Sequence, residues 1–190
     1  MGAFEHVILL LSFVYALAIA HLLTTVARLI GARARVRFSW LHAFWLANAM
    51  VVLVIDWIDF WDMRNIATWS VVSIAIVLAS AFADYLQAAL VCPEIPPEGA
   101  IDLAAFHDRQ SRYYIGAFVG GGIIAMISNA YFSSGFNIAE YAAQNMIIVP
   151  TIAVALCAAI FRNRWVQIAV PVLVTASWDY NLVRIQDALH

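Results

Sequence analysis

Six stretches of this sequence are apolar over the length a helix needs to cross about 30 Å of hydrocarbon, which takes roughly 20 residues. They run from about residue 4 to 29, 40 to 61, 66 to 92, 113 to 132, 145 to 161 and 165 to 183. A soluble chain of 190 residues cannot bury so much apolar surface. Its residues are 65% hydrophobic and 12% charged, against roughly 45–50% and 25% in soluble domains. The expected fold is all-α: a polytopic integral membrane protein, one domain of six transmembrane helices. The start, Met1-Gly2-Ala3-Phe4-Glu5-His6, lacks the basic segment of a signal peptide, so the first apolar run is expected to stay.

Arginine placement gives the orientation. If the loop after the first span is cytoplasmic, the inner side collects Arg28, Arg33, Arg35, Arg37, Arg109, Arg112, Arg162 and Arg164, and the outer side keeps Arg64 and Arg184. That asymmetry follows the positive-inside rule and puts both termini outside, N-out and C-out. The expected location is a bacterial inner (plasma) membrane. Between the third and fourth spans, Pro93, Pro96, Pro97 and Gly99 break the helix, and residues 100–110 then regain helical spacing. That segment reads equally as an interfacial helix and as an N-terminal extension of the fourth span. Residues 78–85 and 173–180 share Leu, Ala, Asp and Tyr at matching places, an echo 95 positions apart. A weak 3+3 repeat of this kind would be inverted, as in many transporters, although the other spans do not align at this offset.

Several chemistries drop out on inspection. All ten cations are arginine, so no lysine can form a Schiff base with a cofactor. A net charge of −2 offers no field for nucleic acid. Cys92 and Cys157 match neither a disulfide framework nor a zinc motif and read as small apolar filler. His6, His21 and His42 form no compact ligand motif, so neither metal nor other cofactor is expected. A bis-histidine haem would need rings at one depth, and His21 is deep where His42 is shallow. No nucleophile elbow, zinc-protease or phosphate-loop motif occurs, which weighs against an enzyme.

What remains is the set of ionisable residues inside the spans, each costing roughly 2.5–3.5 kcal/mol on insertion scales unless partnered or hydrated. Asp56, Asp59 and Asp62 recur every third residue near the outer end of the second span, and Asp179 reaches a similar depth on the sixth. Both helices run outward, so these acids approach C-terminal ends where the macrodipole disfavours them. Their candidate charge partners are Arg64 and Arg184, a proton or a bound cation. The outer half holds Glu5, Asp56, Asp59, Asp62, Glu140, Asp179 and Asp187 against those two arginines, an excess that concentrates cations. In the plainer reading, Asp59 and Asp62 are solvated at the interface beside a belt of Trp57, Trp61 and Trp69. Further in, His21 and Asp84 each lie about 10–13 Å from the inner end and can meet as a proton relay.

Glycines and prolines mark where a helix can yield. Gly116 and Gly120 give a small-residue packing face, while Gly120, Gly121 and Gly122 in series can let the fourth span unwind. Pro150 in the fifth span and Pro171 in the sixth predict kinks or freed carbonyls. Together these residues suggest a small membrane transport protein, a cation-conducting channel or proton-coupled cation transporter. Its partners would be the bilayer, a monovalent cation or proton, and further copies of itself as a homo-oligomer. The alternatives are a non-transporting membrane subunit or assembly partner, and a haem-, quinone- or lipid-binding membrane protein.

Overall fold

In hydrocarbon every backbone N–H and C=O must find its partner within the protein, and a helix supplies these partners locally. The computed structural model describes residues 3–66, 68–133, 137–161 and 163–188, with side chains left undescribed at 3, 62, 65, 164 and 179–188. Its seven α-helices are α1 (Ala3–Gly31), α2 (Trp40–Asp59), α3 (Val71–Val91), α4 (Leu103–Phe132), α5 (Ile138–Gln144), α6 (Ile148–Ile160) and α7 (Arg164–Ala188). The remaining regular structure is two 3₁₀ turns and one parallel pairing of Val36–Arg37 (β1) with Ile101–Asp102 (β2).

α1 to α4 are each long and apolar enough to cross a membrane, and the protein is integral to it. Their outward faces carry large apolar side chains such as Leu10, Phe13 and Leu17, each at least half exposed. Water does not tolerate that much contiguous apolar surface on a monomer. Among the described residues, four spans and one bent pair are found. The fifth stretch is broken into α5 and α6, bent by 52° to one another, and makes a fifth span only if the two halves are taken together. The described apolar part of α7, Trp165–Trp178, is shorter than a span requires, and the side chains of 179–188 lie outside the described residues.

The bend has a physical cause. Asn145 lies in the break, 2% exposed, its Nδ2 donating to Tyr141 O at 2.8 Å while its Oδ1 accepts from Asn129 Nδ2 of α4 at 3.1 Å. A buried amide so partnered holds the chain where the helix stops. Pro150 sits in the first turn of α6, where its missing N–H had no helical partner anyway. The expected kink at Pro150 is therefore displaced to the residues before it. α7 continues through Pro171, whose carbonyl accepts from Thr175 Oγ1 at 2.9 Å.

Other boundaries follow from caps. Ser70 and Ser73 form a reciprocal capping box that starts α3 at Val71, later than the expected residue 66. α2 ends at Asp59, and a 3₁₀ turn over Phe60–Asn65 follows. Asp102 caps α4 by accepting from Ala104 N and Ala105 N. From there the helix runs unbroken to Phe132, so residues 103–110 extend the fourth span instead of lying apart.

Connections gather at two ends. At the arginine end, β1 pairs with β2, Arg37 bridges to Asp102 at 3.1 Å, and His42 Nε2 donates to Val91 O at 2.9 Å. At the opposite end, Phe4, Trp69 and Phe132 pack ring against ring, and the Ser70 and Tyr131 hydroxyls lie 2.9 Å apart. Between them α1 buries Val7, Leu11, Tyr15, Ala18, Leu22 and Thr25 along one stripe. Ala18, Ala81 and Ala88 are fully buried, and such small side chains let helices approach closely.

Candidate functional site

The polar groups nearest the centre of the bundle come from three helices. Asp84, on the buried face of α3, is 4% exposed. It lies about 20 Å from the start of α3 and about 10 Å from its end. Tyr15 of α1, 2% exposed, donates its hydroxyl to Asp84 Oδ2 at 2.7 Å. Asp56 of α2, half-buried, brings its carboxyl into hydrogen-bonding contact with that of Asp84. On the α4 side stands Gly121, where even a Cβ would lie 3.5 Å from Asp84 Oδ1.

Local sequence explains this convergence. Ala81, Asp84 and Ala88 share a face at helical spacing, so a small residue sits one turn to either side of the carboxylate. Ala18 does the same beside Tyr15. α2 meets α3 at two places, through His42 against Val91 O and through Asp56 against Asp84. These contacts bring Asp56 to Asp84. Phe60 closes the site above, its ring 5.8 Å from that of Tyr15.

The electrostatics are those of a like-charged pair. Two bare carboxylates in contact repel strongly in a poorly polarisable medium, and a hydrogen bond between carboxyl groups exists only when one carries a proton. Among the described residues no arginine touches either acid. Asp59, one turn beyond Asp56, is exposed and adds its field to Asp56 and Tyr15. One turn from Asp84 towards the arginine end, Gln87 is 1% exposed, and its Nε2 has no hydrogen-bond partner among the described residues.

Several expected partners lie elsewhere. His21 is exposed on the outward side of α1 and does not join Asp84; the buried stripe of that helix carries Tyr15 instead. The sequence places Asp56 and Asp84 in separate layers, whereas their carboxyl groups lie in contact. Arg64 donates to Trp61 O at 3.1 Å and lies over the Trp61 ring at 5.2 Å. The side chains of Asp62, Asp179 and Arg184 lie outside the described residues. α4 stays helical through Gly120, Gly121 and Gly122, with no unwinding. Gly120 has open space where a Cβ would be, and at Gly122 that Cβ would fall 2.8 Å from Ile152 Cδ1 of α6.

Two groups escaped the sequence reading. Tyr15 is the phenol in a four-four-three-four-three stripe of buried α1 residues, a spacing visible in the sequence. A second buried cluster stands at the arginine end, where His107 Nδ1 and the Tyr114 hydroxyl share a short hydrogen bond and His42 packs edge-on to Phe106. Nothing in the spacing marks His107 as buried, because residues 100–110 read equally as an interfacial helix and as an extension of the fourth span. The chain matches no protein-family model, no curated protein and no solved structure, so its chemistry rests on its own side chains.

Proposed function

We propose that this is a small membrane transport protein in which the Asp56–Asp84 pair takes up a proton and releases it in exchange for a monovalent cation. The observation that carries the reading is the contact of two carboxyl groups from different helices, one buried and one half-buried, with no arginine among the described groups acting on either. Such a pair holds one proton readily and two charges badly, so proton loss makes it a cation site. Asp59 leads towards it from the Trp61 side, and Gln87 offers an unused donor on the other. Close packing around the acids favours a coupled carrier over a standing pore. The reading keeps six spans with both termini outside, a homo-oligomer, and a bacterial inner membrane, where a proton gradient would drive the exchange. The echo between residues 78–85 and 173–180 carries no part of it.

The test is reconstitution in liposomes holding a pH-sensitive dye, with a sodium or potassium gradient imposed. Wild type moves protons against the cation, and Asp56→Asn and Asp84→Asn fall to the protein-free baseline. Unchanged exchange in Asp84→Asn removes the proposal. A second reading, a non-transporting subunit, draws on the same contact as a lock tying α1, α2 and α3 through Tyr15, Asp56 and Asp84. Wild type silent with both cations, and an Asp84→Asn variant that melts well below it, would favour the lock.

A further inference from the structure

One side of α1 carries a pattern that its packing does not explain. Leu10, Phe13, Leu17, His21, Thr24 and Arg28 recur at intervals of three or four residues and are all exposed, so they form one outward stripe. The half towards the N-terminus is apolar and suits lipid tails. The other half is polar, and polar groups facing hydrocarbon are costly unless something satisfies them. Neither His21 nor Arg28 has a side-chain partner among the described residues.

Arg28 opens onto a cleft of about 510 Å³ that it shares with Arg35, Ala32, Ala34, Pro96 and Pro97. Arg35 is fixed there, donating to Gly99 O at 2.9 Å and to Pro96 O at 3.3 Å, which leaves further N–H groups of the guanidinium available. Gly99 has a φ of 93°, the left-handed region that glycine reaches without strain. Glu94 and Glu98 belong to the same segment, yet neither lines the cleft. Two guanidinium groups facing one space without a carboxylate in its walls form an anion site. In the connection from α1 to α2, Phe38 and Trp40 are exposed and edge-on at 4.8 Å, the kind of aromatic pair that sits at a headgroup boundary.

We propose that this cleft and stripe bind an anionic phospholipid. The phosphate sits between Arg28 and Arg35, and the glycerol ester region lies against Thr24 and His21, which is about 10 Å along the helix from Arg28. The acyl chains follow Leu17, Phe13 and Leu10. Charge complementarity selects an anionic headgroup, and the apolar continuation of the stripe selects a lipid over a soluble phosphate. The site is independent of the carboxyl pair.

The experiment titrates purified protein in neutral detergent with phosphatidylglycerol, phosphatidylcholine or glycerol phosphate and reads the melting temperature. Phosphatidylglycerol raises it, with a half-saturating concentration about tenfold higher in Arg28→Gln, as expected for losing one charge-assisted contact, and also higher in His21→Leu. Phosphatidylcholine and glycerol phosphate leave the melting temperature unmoved. Equal shifts from the two lipids, or an unchanged half-point in Arg28→Gln, overturn the proposal. A shift from glycerol phosphate matching that of the lipid also overturns it, in favour of a soluble anion. Should Arg28→Gln not fold, native mass spectrometry of wild type decides: preferential retention of phosphatidylglycerol over phosphatidylcholine upholds the site, and equal retention overturns it.

Discussion

Asp84, buried within α3, and Asp102, at the start of α4, are aspartates on either side of one connection, and their surroundings could hardly differ more. Asp102 stands at the surface with its lone pairs occupied: Oδ1 accepts from Ala104 N and Ala105 N, and Oδ2 faces Arg37 at 3.1 Å. The Ala105 amide, then Arg37 and the Ala104 amide, hold its carboxyl below the usual aspartate range. Asp84 has a phenol, a second carboxyl group and an adjacent glycine. One acid is fully answered by donors and serves to start a helix. The other is answered by a group that must itself gain or lose a proton, which is what a site for proton exchange requires.

The contrast can be broken at Tyr15, where the largest stability effect is expected. Tyr15→Phe removes the hydrogen bond to Asp84 and should cost about 1.5–3 kcal/mol, read as a lowered melting temperature in detergent. An unshifted melt would mean that Asp84 does not depend on that phenol. Next comes the room beside the acid. Gly122→Ala presses its Cβ on Ile152 of α6 and should destabilise by about 1–3 kcal/mol. Gly121→Ala meets Asp84 Oδ1 only at ordinary contact distance and should be neutral or gain up to about 1 kcal/mol in helix propensity. Equal losses at both positions would show that the α4 side of Asp84 is as tightly filled as the α6 contact.

The smallest effect belongs to Asp102. Asp102→Ala should lower the melting temperature slightly, and Asp102→Asn less, because an amide oxygen still caps the helix. Since the carboxyl is held below its ordinary range, its stabilisation is complete at neutral pH. It disappears only as pH falls through the lowered folded value. A melting difference between wild type and Asp102→Ala that persists undiminished well below that range would contradict the assignment.

Much of this molecule is legible in one dimension. Apolar runs of membrane length announce helices in lipid because backbone satisfaction permits little else there. Asp56 and Asp84 stood out because ionisable groups in such runs are rare and costly. Their meeting was not legible: counting 1.5 Å per residue along upright helices puts them in different layers, and only the packing of α2 on α3 brings the two carboxyl groups into contact. The face that His21 presents is illegible for a related reason. Depth can be counted from the nearest arginine, whereas the face a residue presents depends on which side of α1 the other helices occupy.

The bilayer as solvent, the helical class and the candidate acids were therefore all settled by residue types and run lengths, since these reflect transfer free energies that each segment carries wherever it sits. Which acid meets which, the partnership of Tyr15, and the break at Asn145 emerged only from packing. They depend on crossing angles and small-residue contacts between segments distant in the chain, and no local pattern encodes those.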